Sequence, residues 1–330
     1  VNLQRGVLRA AELAGLRWVE TEPLTLAGLR GGVVLIHFWD YACINCLRAL
    51  PYLKVWHGRY EDRGLEILGI QAPEFEFGRD YENVRHAVEE LGIGFRVAID
   101  PQLRTWDAYA NRFWPATYLI DGEGFLAGCH FGEGGYQEME TAIQVLLREV
   151  NPRAVLPRVF EPLRPEDVSG VTHRAATPDI YFGYRRGRIG NEEGFSRSAP
   201  GTYVMPADRM KDVYYLDGRF RSLEDCQVHE GDGPARISIS YDAVDVYVVA
   251  SPDPDSDLPA TFVLEQDGNP LDEDRVGEDV RFDGNVPYVE VIRPRLLHLV
   301  SNVRSGRHEI VLSTESPGLR LHGFSFLSAT

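Results

Sequence analysis

The sequence predicts an α/β domain followed by an all-β domain of the jelly-roll or β-sandwich kind, and two contrasts along its 330 residues carry that prediction. Up to about residue 150, nearly continuous apolar runs alternate with stretches of helical period, as in a sheet covered by helices on both faces. Beyond about residue 178 the helical period disappears. Short alternating runs take over, punctuated by Gly, Asn and Asp as antiparallel strands and hairpins are. Length agrees, since roughly 150 residues per domain divides this chain in two.

The first apolar run, 33–39, is bounded by Gly31-Gly32 and reads as a strand buried on both faces of a parallel sheet. A helix is expected over 43–63, then a strand at 65–71, a helix at 81–91 and a strand at 95–99, a βαβαβ order. A short helix at 104–109 precedes a hairpin made of Tyr118-Leu119-Ile120, the turn Asp121-Gly122-Glu123-Gly124 and a return strand at 125–131. An amphipathic helix at 137–150 completes a domain spanning 1–150.

Five prolines, Pro152, Pro157, Pro162, Pro165 and Pro178, mark 151–178 as a linker. Within 179–330, strands are expected at 236–241, 244–249, 261–265, 308–313 and 319–326. Gln266-Asp267-Gly268-Asn269 supplies a hairpin turn, and Asp283-Gly284-Asn285 and Ser305-Gly306 punctuate similarly. No repeat recurs at 20 to 50 residues, so a propeller or solenoid lacks support.

Fifty acids against 34 bases leave a net charge of -16, and residues 1–150 share it with 21 acids and 14 bases. With no basic run, nucleic acid is not an expected partner. The longest apolar runs fall far short of the ~20 residues that span a bilayer as a helix. The chain opens Val-Asn-Leu-Gln-Arg, with neither an apolar signal core nor an initiator Met, so an upstream segment is expected to have been removed or cropped. The compartment stays open: cytoplasmic as written, extracytoplasmic and membrane-facing if a segment is missing.

Four cysteines are too few for a disulfide-stapled scaffold, and only Cys43 and Cys46 lie close in sequence. Placed between a buried strand and a helix, both sulfurs fall at a helix N-terminus, where unpaired N–H groups favour a thiolate. Cys43 is expected to be exposed, with a lowered thiol pKa, and Cys46 to be shielded one turn further in. Cys43 then attacks a disulfide and Cys46 resolves the mixed disulfide. The alternatives are half a zinc site or two buried thiols; for zinc, Cys129 and His130 would point to opposite faces of one strand and cannot easily complete the site. No metal and no cofactor are called for. Taken singly, Cys129 and Cys226 read as small buried hydrophobes.

Phe113-Trp114-Pro115-Ala116-Thr117 places a proline at the start of a strand, where a cis bond is plausible and an ordinary edge proline is the plainer reading. In the second domain, Asp253-Pro254-Asp255-Ser256-Asp257 mimics a calcium loop. Leu258 stands where such a loop needs Gly and Leu264 where it needs Glu, which favours a solvated loop. Tyr181, Tyr184, Tyr214 and Tyr215 are candidates for exposed aromatics that stack on sugar rings, or for core tyrosines.

Phe38-Trp39, Cys43-Ile44-Asn45-Cys46 and Trp114-Pro115-Ala116-Thr117 resemble the thioredoxin-like superfamily over most of residues 16 to 150. The resemblance implies that Pro115 is a cis-proline facing the dithiol and denying the sulfurs a metal. It also implies that the backbone before it, at Trp114, pairs with substrate. Cys-Ile-Asn-Cys together with Gln71-Ala72-Pro73-Glu74-Phe75 and Phe131-Gly132-Glu133-Gly134 is similar to DipZ-type proteins. In that family a membrane-embedded electron-transfer part precedes the redox domain and a carbohydrate-binding-like β-sandwich follows it; residues 177–183 and 321–326 resemble that sandwich. The resemblance implies a thiol–disulfide oxidoreductase acting on protein disulfides or dithiols, a membrane-embedded CcdA-type electron donor, and a glycan on the β-sandwich.

One departure stands out. Ordinary thioredoxin has a buried Asp where His37 stands, six residues before the first Cys. Either His37 supplies a cation beside the thiolate, or it is structural and Glu74 carries the proton. Trp39 and Tyr41 flank the site and are expected to shape a groove for extended polypeptide, or to be core. A thiol peroxidase of the peroxiredoxin type shares the fold but needs a Thr where Asp40 stands. A binding or docking protein with a vestigial redox domain is the other alternative.

Overall fold

In the computed structural model, which describes residues 3–4, 6–171, 177–231 and 233–328, the apolar run Val33–Trp39 is a strand whose every residue is buried. The chain divides into two compact units, Val1–Thr172 and His173–Thr330.

The elements of the first unit are β1 (Arg17–Trp18), β2 (Val33–Trp39), α1 (Ile44–Tyr60), β3 (Leu65–Gln71), α2 (Tyr81–Glu90), β4 (Arg96–Ile99), α3 (Arg104–Ala108), β5 (Ala116–Ile120), β6 (Leu126–Phe131) and α4 (Tyr136–Val150). Its sheet runs β1-β4-β3-β2-β5-β6. β2, β3 and β4 are parallel, while β5, β6 and β1 pair antiparallel to their neighbours, so the sheet is mixed where the sequence suggests a parallel one. Strand alternation explains the full burial of β2. Leu35 and Trp39 pack against Leu53 and Trp56 of α1 and Ile143 of α4, whereas Val34, Ile36 and Phe38 pack against Trp106 and Tyr118 on the other face.

Residues 151–171 do not form a free linker, which corrects the expectation for 151–178; residues 172–176 lie outside the described set. Leu156 and Phe160 pack on the first core, and Gln144 Nε2 donates to the Pro157 carbonyl at 2.8 Å. Phe160 N–H donates to the buried Glu140 carboxylate at 2.7 Å, and Leu163 N–H to the Tyr52 hydroxyl at 2.7 Å. Prolines keep this strap out of α-helices and ladders, and its regular structure is one 3-10 turn at Pro165–Asp167. They say nothing about detachment, because side chains of α1 and α4 satisfy its backbone.

The second unit contains β7 (Ile180–Tyr181), β8 (Gly201–Tyr203), β9 (Tyr214–Ser222), β10 (Gln227–His229), β11 (Ala235–Asp242), β12 (Asp245–Ser251), β13 (Ala260–Gln266), β14 (Asn269–Pro270), β15 (Arg281–Asp283), β16 (Val286–Val291), β17 (Arg295–Ser301), β18 (Arg307–Thr314) and β19 (Arg320–Leu327). They connect as β15-β16-β13-β18-β11-β9-β10-β19-β12-β17. β9 belongs to both halves: Tyr214 to Asp217 pair with β11, and Phe220 to Ser222 with β10. Gly218, at φ 98°, sits at the changeover, where a Cβ would come within 2.8 Å of the Pro234 carbonyl. Ile237, Phe262 and Leu312 of one half meet Val248, Leu297 and Phe324 of the other in a single core, which makes the unit a β-sandwich. Tyr214 belongs to that interior and Tyr215 is buried as well, so of the two expectations for these residues exposure fails and burial holds. Tyr181 and Tyr184 are half-buried beneath the guanidinium groups of Arg186 and Arg197. Among the described residues no helix is long and apolar enough to cross a membrane.

Candidate functional site

The site forms where three chain segments leave the same end of the first sheet. In β2 Trp39 pairs with Gln71 of β3, and Phe38 pairs with Ala116 of β5. The loops starting at Asp40 and at Ala72 therefore emerge side by side, with Pro115 entering β5 beside them. The Trp114-Pro115 bond is cis. Trp114 is half-buried, donates its indole N–H to the Ala72 carbonyl at 2.9 Å and lies 4.3 Å from Trp106, centroid to centroid.

Cys43 is the N-cap of α1. Its sulfur accepts the Cys46 N–H at 3.3 Å, as an N-cap side chain does, and its own N–H donates to the Asp40 carbonyl at 3.2 Å. The two sulfurs are unbonded and 2.7 Å apart. Cys43 is 8% exposed and Cys46 is 0% exposed. The order of shielding is as expected, but Cys43 is itself buried. Burial pushes the Cys43 thiol well above its ordinary value, with Cys46 and the Glu74 charge adding to the rise and the Cys46 N–H opposing it. Burial also pushes Cys46 up. The lowered Cys43 pKa expected from the helix terminus is therefore corrected: desolvation outweighs one N–H donor.

Asp40, noted in the sequence only as replacing a threonine, organises the site. Fully buried, its carboxylate accepts N–H bonds from Ala42 at 2.7 Å and Glu74 at 2.9 Å, and one from the Gln71 amide at 2.9 Å. Burial pushes its pKa up to about 7, with the Glu74 charge adding and the three donors opposing. Gly78 leaves room for it, since a Cβ there would lie 3.2 Å from Asp40 Oδ2. The sequence signal was an acid directly after a strand that is apolar but for His37.

His37 is 1% exposed and its Nδ1 lies 3.0 Å from Thr117 Oγ1, across the β2–β5 pair. Burial lowers its pKa to about 3, so it is neutral and cannot serve as a cation beside a thiolate. Glu74 is buried on the Ala72 loop and near enough for its charge to act on both thiols. Trp39 and Tyr41 are buried too, which corrects the groove expected from them: Trp39 faces the core and Tyr41 packs on Phe77. The exposed aromatics are Phe113 (52%) and Phe131 (47%), whose rings lie 5.3 Å apart next to Trp114-Pro115 and the Gly132 loop. Both residues adjoin motifs visible in the sequence, but nothing local marks them as exposed. Arg48, one turn into α1, holds Glu133 of that loop at 2.7 Å and Glu166 of the strap at 3.1 Å. Cys129 is exposed, contrary to expectation, because β6 is an edge strand; Cys226 is buried as expected.

Comparison with known proteins follows the same division. Residues 9–128 match the AhpC/TSA family, and residues 177–326 match the family described as thioredoxin like C-terminal domain. The DipZ proteins of Mycobacterium bovis and Mycobacterium tuberculosis are 37% identical over 269 residues, covering 79% of this chain and 37% of theirs. The chain thus spans little more than a third of those relatives. The thiol-disulfide oxidoreductase ResA of Halalkalibacterium halodurans is 32% identical over 148 residues, 44% of this chain and 81% of its own. A solved thiol-disulfide isomerase from Corynebacterium glutamicum aligns over 43% of this chain and 94% of its own, with 23% identity and a TM-score of 0.37.

Proposed function

The chain belongs to the thioredoxin-like superfamily, among its thiol–disulfide oxidoreductases, and from that premise we propose that it exchanges a Cys43/Cys46 dithiol with the disulfides of protein substrates. The observation that carries this reading is the pair of unbonded sulfurs 2.7 Å apart at the cap of α1.

The Cys43 thiolate attacks one substrate sulfur, the substrate disulfide breaks, and the released thiolate takes up a proton. Cys46 then loses its proton and attacks Cys43 Sγ; the mixed disulfide breaks and the second substrate thiol leaves. Two electrons and two protons pass to the substrate, and Cys43–Cys46 is left as the disulfide. Because burial holds both thiols protonated, the step needs a nearby base. Glu74 is the proposed proton carrier, with Asp40 fixing its backbone. Trp114 and Pro115 are the proposed seat for extended substrate chain, flanked by Phe113 and Phe131. His37, neutral and packed, is given no catalytic role.

A membrane-embedded CcdA-type donor returning electrons to the disulfide is part of the proposal and rests on the likeness to DipZ alone. The glycan expected on the second domain draws no support from Tyr214 or Tyr215, which are buried. A thiol peroxidase is the second reading, favoured by the AhpC/TSA match and opposed by Asp40, which stands where that chemistry needs a Thr. Reduction of insulin disulfides with dithiothreitol as electron source tests the first reading: the wild-type chain turns over, and Cys43→Ser does not. Turnover by Cys43→Ser at the wild-type rate would remove the proposal, and fast consumption of hydrogen peroxide without insulin reduction would favour the peroxidase.

A further inference from the structure

Among the described residues, Asp225, Cys226 and His322 of the second unit each offer a donor atom within 4.8 Å of the other two. His322 Nδ1 stands 3.7 Å from Asp225 Oδ2. Cys226 and His322 are buried, while Asp225 keeps partial contact with solvent.

Strand register brings them together. Gln227 of β10 lies opposite Leu321 of β19 and Val228 opposite Arg320, so Cys226, one residue before β10, comes opposite His322. On its other edge β19 pairs with β12, and there the register slips: Val249 faces Gly323 and Ala250 faces Leu321. His322 is the extra residue of that bulge, a device that re-aims the side chain it carries. Its carbonyl is not left bare, because Phe182 N–H donates to it at 2.9 Å.

The other two donors are equally fixed. The turn before β10 closes through Leu223 N–H to the Cys226 carbonyl at 2.9 Å, and Tyr184 and Arg185 N–H bind the carbonyls of Leu223 and Glu224 at 3.0 Å each. Ser251 Oγ lies 2.9 Å from His322 Nε2. In the tautomer that donates Nε2–H to Ser251, Nδ1 turns its lone pair to the side where Asp225 and Cys226 stand, the outer-sphere arrangement of metal-binding histidines. A dication there would displace the Cys226 proton, as metals do at coordinating thiols.

We propose that Asp225, Cys226 and His322 bind one Zn2+ ion through a carboxylate oxygen, a thiolate and an imidazole nitrogen, with water completing the shell. Thiolate with imidazole selects zinc over magnesium or calcium, and the two negative charges balance the ion. Binding releases the Cys226 proton to solvent and pins the turn before β10 to the bulge of β19; no electron is transferred.

The test uses the full chain carrying Cys43→Ser and Cys46→Ser, so that the dithiol cannot hold metal, with Co2+ as the probe and Zn2+ as its competitor. The expected result is one Co2+ per chain with a thiolate-to-cobalt absorption band, bleached by one equivalent of Zn2+. Adding Cys226→Ser abolishes the band. Asp225→Asn, at the partly exposed ligand, retains the fold by circular dichroism and weakens binding by about 10-fold or more. No band before Cys226→Ser, or the same band after it, overturns the proposal. Insulin reduction by a chain carrying only Cys226→Ser separates the two readings, since that variant keeps the dithiol.

Discussion

Asp40 accepts the backbone N–H of Glu74 at 2.9 Å, so one buried carboxylate ties the loop that carries Cys43 to the loop that carries the proposed proton carrier. The Gln71 amide makes the same join at the end of β3. Position and ionisation of the site are thereby coupled.

For Asp40, the folded pKa of about 7 exceeds the ordinary 3.8. The folded chain therefore holds a proton that the unfolded chain has lost. The stability this group contributes is fully present below about 3.8 and is lost as pH rises through about 7. Asp40→Asn should flatten the pH dependence of stability across that window, by up to about 1.4 kcal/mol per pH unit for one proton. Urea unfolding at pH 5 and pH 8 measures it; equal slopes in wild type and variant would contradict the assignment.

His37 has the opposite sign. Its folded pKa of about 3 lies below the ordinary 6.5, so stability from the neutral imidazole is present above 6.5 and is lost as pH falls towards 3. His37→Asn should remove that acid sensitivity and leave the Cys43 titration unchanged. Alkylation rate against pH reads the latter, and a rise in the Cys43 midpoint of a unit or more would restore the cationic role.

Glu74 adds its charge to the burial that raises both thiols. Glu74→Gln should therefore lower both thiol midpoints while slowing resolution of the mixed disulfide, because the proposed base is gone. Stopped-flow alkylation and single-turnover insulin reduction separate the two effects. An unchanged resolution rate would take Glu74 out of the mechanism.

Glu140, 1% exposed, accepts the Tyr60 hydroxyl at 2.6 Å, Arg59 at 3.2 Å and the Phe160 N–H of the strap at 2.7 Å. Glu140→Ala leaves these donors short of an acceptor and should cost about 1–3 kcal/mol or more, with new protease cleavage within 151–171. Wild-type resistance to trypsin in that segment would contradict the anchoring of the strap.

How much the sequence revealed depended on range. β2 and β3 were legible to the residue because a short, mostly apolar run is a local signal, and the start of α1 was legible from the cysteine pair. Asp40 was not, since its three donors sit two, 31 and 34 residues away and only the fold gathers them. Burial of Cys43 and Tyr41 was equally hidden, because a loop residue carries no periodicity that reports its cover. β9 escaped notice because Tyr214-Tyr215-Leu216 breaks the alternation and Asp217-Gly218 reads as a turn; in fact Gly218 lets the strand change partners. The bulge at His322 arises from two competing registers along β19, which no single stretch of sequence displays.

The central claim, that Cys43 attacks and Cys46 resolves, is tested most directly by trapping. Reduced Cys46→Ser chain is mixed with oxidised insulin, and its intact mass is measured without reductant. The account predicts a covalent adduct mapped to Cys43, released by dithiothreitol and absent from Cys43→Ser. An adduct that persists in Cys43→Ser, or maps to the exposed Cys129, would contradict it.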